Sequence, residues 1–237
     1  IDESSMSISG GFGKVVLGEN DSVADDYAIS ADDIADENEA ATVTSATIGT
    51  STDIELSDGD DNKISYHLPQ MGGFTGGASF TDSGTNTGTD TTSFGFNYEV
   101  EVGGNALTLG ASTATTEATT KDTDAQILGL KVVSGNLTII ASQSSYEAVD
   151  EDIETTGAGV SYKMANGMVL GAYTLKSEDD LDAGEEYTKS GVELQYTIAN
   201  GLTTFINVDD YEYKAGTSET AVSDSGTTSK LTIAASF

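Results

Sequence analysis

The chain contains no cysteine, no tryptophan, one proline and one histidine. Without cysteine it can form neither a disulfide framework nor a thiolate zinc site, and it has no cysteine nucleophile. Its nine basic residues are all lysine and face 40 acidic residues, which gives a formal net charge of −31. Because phosphate contacts need clustered cations, this composition excludes a nucleic-acid-binding protein and disfavours docking on an anionic membrane surface.

Apolar residues are also scarce: 37% of the 237 residues are hydrophobic and 7% are aromatic. That is little for the solid core of a domain of this length. No apolar run reaches the roughly 18 residues of a membrane-spanning helix. The first residues, which are polar and acidic, do not predict a signal peptide. A hollow architecture would explain the low apolar content, because it has no solid core to fill.

The apolar residues alternate with polar ones, which is the period of a β-strand. In residues 91–102, Phe94, Phe96 and Tyr98 share one parity, while Ser, Gly, Asn and Glu occupy the other. Similar alternation predicts thirteen strands, at residues 4–9, 13–19, 62–68, 73–82, 91–102, 105–116, 122–133, 136–147, 153–164, 167–179, 186–198, 201–214 and 228–237.

The aromatic residues raise two further expectations. Phe205, Tyr211 and Tyr213 leave the apolar parity of their strand, which indicates a bulge. Strand tyrosines are either scattered or form girdles at the two membrane interfaces. The candidates for such girdles are Tyr98, Tyr162, Tyr187 and Tyr196.

Two kinds of connection separate the strands. Short turns rich in Asn and Gly, which tolerate the positive φ of tight hairpins, lie at 103–105, 134–136, 165–167 and 199–201. Longer acidic loops lie at 83–90, 117–121, 148–152, 180–185 and 215–227. Regular alternation of the two kinds predicts an up-and-down sheet with short turns at one end and long loops at the other.

The polar parity carries mainly Gly, Ser, Thr and Asn rather than many charges. A polar lumen inside a lipid-facing apolar band requires this pattern. We therefore expect residues 1–237 to form a single domain, an all-β transmembrane antiparallel β-barrel. Lysines on the polar parity would face the lumen as a basic wall: Lys14, Lys63, Lys131, Lys163, Lys189 and Lys230.

Residues 20–61 form the one long segment without strand character, and they contain thirteen acidic residues and no lysine. A loop of this length is usually functional or disordered. We expect it to fold inward as a constriction loop, with residues 32–39 either a short helix or flexible coil. The acidic residues predicted to line the constriction are Asp25, Asp26, Asp32, Asp33, Asp36 and Glu37.

Four segments resemble general Gram-negative porins, especially alphaproteobacterial ones. Residues 11–19 resemble the strand that enters the constriction loop, and 62–69 with 72–80 resemble the hairpin that follows it. Residues 230–237 resemble a porin's closing strand, whose final aromatic residue, here Phe237, is the outer-membrane assembly signal. The resemblance covers the whole chain.

The resemblance implies a sixteen-stranded barrel whose constriction loop follows the fifth strand. About three strands are then expected to lie before this sequence. It also implies an outer-membrane location in a Gram-negative bacterium, a homotrimer, and a channel for small hydrophilic solutes with no required cofactor. The implied partners are outer-membrane lipids, lipopolysaccharide and the barrel assembly machinery.

Two residue groups admit more than one interpretation. Asp58, Asp60 and Asp61 are closely spaced oxygen ligands that form either a calcium or magnesium site or a solvated acidic turn. An EF-hand is excluded, because the twelfth loop position is Pro69 instead of Glu. His67 is interpreted as a lumen residue rather than a catalytic base.

The leading functional hypothesis is a non-enzymatic diffusion channel that prefers cations, because acids dominate the loops. An acidic surface protein or adhesin without a channel role is the alternative. A substrate-specific channel is disfavoured, because the chain lacks the Trp of an aromatic slide and has few bases for a phosphate ladder.

Overall fold

The computed structural model describes residues 4–35, 62–82, 90–217 and 223–235. These residues form one antiparallel sheet in which every strand pairs with the next along the chain. The thirteen strands are β1 (Ser5–Gly10), β2 (Gly13–Glu19), β3 (Asn62–His67), β4 (Phe74–Thr81), β5 (Thr91–Val102), β6 (Asn105–Thr116), β7 (Thr123–Ser134), β8 (Leu137–Glu147), β9 (Asp152–Lys163), β10 (Val169–Asp179), β11 (Glu186–Ala199), β12 (Leu202–Lys214) and β13 (Asp224–Ala235). The predicted up-and-down topology is confirmed, and the last strand begins earlier than expected.

The two edges of the sheet are β1 and β13, which are not paired with each other in the described part of the chain. Because thirteen is odd and all neighbours are antiparallel, β1 and β13 run in the same direction. They therefore could not close the sheet as an antiparallel pair. The expectation of about three further strands stays a prediction.

The two parities of each strand face opposite sides of the sheet. Phe94 and Phe96 are 53% and 42% exposed on one side, whereas Thr91 and Ser93, which precede them in the same strand, are buried on the other. Short helical turns pack on the side of Thr91 and Ser93, so that side is the interior. The apolar parity is therefore the outer face and the polar parity the inner face, as predicted.

The bulge expected in β12 is wrong, and one of the four girdle candidates does not face outward. β12 pairs with β13 without interruption, and its register with β11 shifts only between Thr197 and Ala199, beside the turn. Phe205 and Tyr213 lie on the inner face and are buried there, so the parity change marks an aromatic inner wall and no bulge. Tyr187 is also buried, whereas the other three girdle candidates are exposed on the outer face.

Short turns join the strands at one end, as the Asn and Gly pattern predicts. Gly135 and Gly167 have φ values of 60° and 85°, a region in which a side chain is strained. These residues let β7–β8 and β9–β10 reverse within a few residues. No helix in the described residues is long and apolar enough to cross a membrane.

The buried apolar residues form small clusters between the inner face and residues 23–35, rather than one continuous core. One cluster joins Ala24 to wall residues of β6 and β7, and another joins Ala31 and Ala35 to Tyr173 and Leu175. Within the described residues, each of these clusters lies where this segment packs against the wall.

Replacing Leu130 by Lys should test the orientation of the wall. Leu130 is 41% exposed on the outer face, near the middle of β7. A cation there would face hydrocarbon, at a cost of about 2–4 kcal/mol in the free energy of folding into a bilayer. The measurement is urea unfolding in lipid vesicles. Ser161→Lys on the inner face of β9 is the control and should change stability by only about 0.5 kcal/mol; equal losses would contradict the assignment of faces.

Candidate functional site

The chain leaves the wall after β2 and crosses the inner face of the sheet. We call residues 20–35 the inner segment. It contains helix α1 (Val23–Tyr27) and a 3₁₀ turn (Ala31–Ile34). Helix α1 packs against β3 to β6, and the 3₁₀ turn packs against β8 to β10. The described part of the predicted constriction loop therefore does fold inward, and it runs across the strands rather than along them.

Wall serines bind the first amides of α1. A helix leaves its first N–H groups without intrahelical partners. Here Val23 N donates to Ser79 Oγ at 3.1 Å and Ala24 N donates to Ser93 Oγ at 3.3 Å. Ser22 caps the same end, because its Oγ accepts from the next amide of the turn, that of Asp25, at 3.2 Å. The helix is thereby fixed to β4 and β5 by its backbone.

A second anchor holds the 3₁₀ turn. Ala31 N donates to Ser142 Oγ of β8 at 3.0 Å. Ser30 N donates to Asp33 Oδ2 at 2.8 Å, which closes the start of the turn on itself. The inner segment is therefore attached to the wall at two places, at Val23 and Ala24 and again at Ala31.

The inner segment has an apolar face towards the wall and an acidic face away from it. The residues buried against the wall are Val23, Ala24, Ile29, Ala31, Ile34 and Ala35. Asp25, Asp26 and Asp33 are exposed on the opposite side, whereas Asp32 is buried and accepts a hydrogen bond from Ser30 Oγ. Three of the six predicted constriction acids thus share one exposed surface.

Burial shifts the pKa of these acids. The wall displaces much of the water around Asp33, although its side chain remains partly exposed, and this raises its pKa to about 6. The Ser30 amide and Lys131 act in the opposite direction. Burial also raises the pKa values of Asp25 and Asp26, with repulsion from Asp21 adding to the effect.

The single histidine lies beside this acidic surface. His67 Nε2 is 3.7 Å from Asp26 Oδ2, and His67 Nδ1 is 3.3 Å from Tyr27 Oη. Lys14 lies opposite His67 in the β2–β3 register. His67 therefore contributes to the surface of the lumen, where the sequence placed it.

The predicted basic wall is divided between buried and accessible lysines. Lys63 and Lys189 are each only 4% exposed. The Lys63 ammonium donates to the Asn20 carbonyl, and the Lys189 ammonium lies 5.7 Å from the centre of the Tyr173 ring. The other four predicted wall lysines are accessible on the inner face. Lys14 and Lys163 are exposed, and Lys131 and Lys230 are half-buried.

Several predicted site residues lie outside the described residues. They are Asp36, Glu37, Asp58, Asp60, Asp61 and Phe237. Within the described residues, no group of His, Cys, Asp or Glu side chains is arranged to hold a metal ion. Calcium or magnesium binding and the roles of these six residues stay predictions.

The sequence pattern did not single out the residues that seat the inner segment. Ser79, Ser93 and Ser142 look like ordinary polar-parity residues of predicted strands. The inner-wall bond from Tyr173 Oη to Asp209 Oδ1, at 2.6 Å, was also not foreseen. The sequence does contain one usable signal, the run of Gly and Ser on the polar parity of consecutive strands. Such small residues leave room for another segment of the same chain.

Comparison with protein-family models identifies the family of the chain. The family model described as Gram-negative porin matches residues 1–216. The chain belongs to the Gram-negative porin family. The resemblance found in the sequence is therefore confirmed, and with it the outer-membrane location.

Solved structures support the fold of this porin. An anion-selective porin from Comamonas acidovorans has 14% sequence identity and a TM-score of 0.65, with 98% of this chain and 76% of that chain covered. OmpT of Vibrio cholerae has 14% identity and a TM-score of 0.67, with 97% and 79% covered. Its in-vitro folded trimer form has 15% identity and a TM-score of 0.65, with 97% and 79% covered. No curated protein matches this porin significantly.

Replacing Ser93 by Ala should weaken the seat of α1. The change leaves the buried Ala24 amide without its acceptor, so we expect the free energy of unfolding to fall by about 1–3 kcal/mol. Ser112→Ala is the matched control, because Ser112 is a buried inner-face serine on the next strand whose Oγ has no hydrogen-bond partner in the described residues. Urea unfolding in vesicles gives both values; a loss at Ser112 as large as at Ser93 would contradict the anchoring role.

Proposed function

We propose that this porin forms a water-filled channel for passive diffusion of small hydrophilic solutes and ions, and that the channel prefers cations. The observation that carries the preference is the exposed acidic surface of Asp25, Asp26 and Asp33 inside the wall. Fixed charges that line a narrow passage set which ions it concentrates. A carboxylate surface with few accessible bases attracts cations and repels anions.

The burial of two wall lysines strengthens this proposal. Lys63 donates a hydrogen bond to a backbone carbonyl and Lys189 lies against an aromatic ring, and both side chains are buried. Lys14, opposite His67, is the exposed base nearest the acidic surface in the β2–β3 register. The accessible charge beside the inner segment is therefore more negative than a count of lumen-facing residues suggests.

Anion selectivity is stated for the Comamonas acidovorans porin. At 14% identity that likeness concerns the fold, and it says nothing of the charges in this lumen. Selectivity depends on a few side chains at the narrowest point, which differ freely between porins of one fold. The proposal of cation preference therefore rests on the acidic surface of this chain alone.

We further propose a homotrimer as the working assembly. A trimer form is described for OmpT of Vibrio cholerae, whose fold this porin shares. The inner segment lies within one chain, so each copy in such an assembly would carry its own acidic surface.

Neutralising the acidic surface should reduce the cation preference. For the protein in a planar bilayer under a KCl gradient, we expect a cation-selective reversal potential at about 0.1 M salt that weakens towards 1 M, where the Debye length shrinks from about 10 to 3 Å. Changing Asp25, Asp26 and Asp33 to Asn should lower the cation-to-anion permeability ratio by about twofold or more.

The matched control removes the same number of charges from the outer face. It is Glu154→Gln with Asp210→Asn and Glu212→Gln, all exposed on that face. This variant should keep the wild-type ratio. An anion-selective wild type, or equal shifts in both variants, would refute the assignment, and the lack of any conductance would refute the channel.

The preference should also depend on pH. With a pKa of about 6, the Asp33 carboxyl is mostly ionised at pH 7 and mostly protonated at pH 5. Acidification therefore removes negative charge from the lumen, and the cation-to-anion ratio should fall with a midpoint near pH 6. The same reversal-potential titration on Asp33→Asn should lack this step; an unchanged step would assign the titration to another group.

A further inference from the structure

Glycines line the inner wall where the inner segment approaches it most closely. They lie on β5, β6, β7, β9 and β10 and are Gly95, Gly110, Gly129, Gly157, Gly159 and Gly171. We propose that this glycine track positions the inner segment and thereby sets the narrowest cross-section of the channel. The proposal rests on the channel function proposed above, but the seating of the segment can be measured separately.

The register places part of the track on one straight row. Gly110 of β6 faces Gly129 of β7, Gly129 faces Ser142 of β8, and Ser142 faces Gly157 of β9. The row runs perpendicular to four consecutive strands. The segment around Ile29 and Ala31 follows it, since both residues contact these positions.

The glycines are required by backbone proximity rather than by backbone conformation. A Cβ added at Gly129 would lie 2.2 Å from the Ile29 carbonyl oxygen, and one at Gly159 would lie 2.2 Å from that of Ala31. A Cβ at Gly95 would lie 2.6 Å from the Val23 carbonyl oxygen. Real contacts of Cβ essentially never fall below 3.0 Å, so even an alanine would force the segment to move.

The same row of wall residues both leaves room for the inner segment and binds it through a hydrogen bond. Gly129 and Gly157 leave room on either side of Ser142, and Ser142 Oγ accepts the Ala31 amide at 3.0 Å. Because a hydrogen bond needs a donor–acceptor distance near 3 Å, the anchor forms only if the flanking positions let the segment approach. The glycines therefore act as positioning residues for the acidic surface.

The track also predicts a graded response to substitution. At Gly110 the added Cβ would meet side-chain atoms, including Ile29 Cδ1 at 2.8 Å, which can rotate away. At Gly171 it would meet the Ile34 carbonyl oxygen at 2.8 Å, a milder backbone contact than at Gly129 or Gly159. The expected displacement therefore decreases from Gly129 and Gly159 through Gly171 to Gly110.

The test compares alanine variants at these four positions in the protein folded into lipid. Amide hydrogen exchange of peptides within residues 23–35 reports the seating, and single-channel conductance reports the cross-section. Gly129→Ala and Gly159→Ala should accelerate exchange by about tenfold and lower the conductance, because the segment is pushed towards the lumen axis. Gly171→Ala should have a smaller effect on both, and Gly110→Ala the smallest.

Gly226→Ala is the control outside the track. The three atoms nearest its added Cβ all belong to the Tyr211 side chain, which can move, so exchange and conductance should match the wild type. If the strongest variants do not fold, Gly171→Ala still gives a backbone contact that tests the proposal. Unchanged exchange in the track variants, or an equal change in Gly226→Ala, would overturn it. A wild type that does not conduct would overturn the channel instead, while the exchange data still decide the positioning role.

Discussion

In hydrocarbon no water replaces a lost backbone hydrogen bond, so every strand that crosses it must pair with a neighbour on each side. The continuous register from β1 to β13 follows from this requirement. Once the register is set, the alternation of side chains decides which residues meet lipid and which meet the interior. The exposed Phe94 and the buried Ser93 are adjacent in sequence, and only this constraint separates their environments.

The inner face then has two tasks that demand different residues. Towards the channel it needs solvated polar groups, whereas beneath the inner segment it needs small residues that form a dry contact. Ser79, Ser93 and Ser142 supply acceptors for buried amides, and the glycines between them supply space. A strand position on this face is therefore small because another part of the chain lies on it.

Most of the fold could be predicted from local sequence. Period-2 alternation and Asn-Gly turns depend on residues within one hairpin, so the thirteen strands and their faces were found. The inward path of the segment was expected from its length and acidity. The prediction that failed depends on long-range contacts. Phe205 and Tyr213 depart from the apolar parity of β12 because the inner wall there is aromatic, which the sequence of a single strand does not reveal.

The sequence predicts which charged residues lie on the inner segment and the inner wall, but it predicts only in part which of their side chains are exposed. Asp25, Asp26 and Asp33, which the sequence predicts at a constriction, are exposed on the inner segment, while Asp32, predicted beside them, is buried. Parity placed Lys63 on the inner face, but whether its ammonium reaches the lumen depends on Asn20, a residue that is distant in sequence. Burial of this kind arises from tertiary contacts, so no alternation pattern contains it.

Net charge and local field are consequently separate properties of this porin. The chain has a formal net charge of −31. The field of an acid in an exposed loop, however, is screened within a Debye length of about 8 Å at physiological ionic strength. An acid held on the inner segment faces ions in a confined passage, where fewer counterions can intervene. In the proposed channel, the segment's position on the wall would therefore influence ion preference more than the many acids in the loops do. Since the glycines and serines beneath it determine that position, uncharged residues contribute to the electrostatics of the channel.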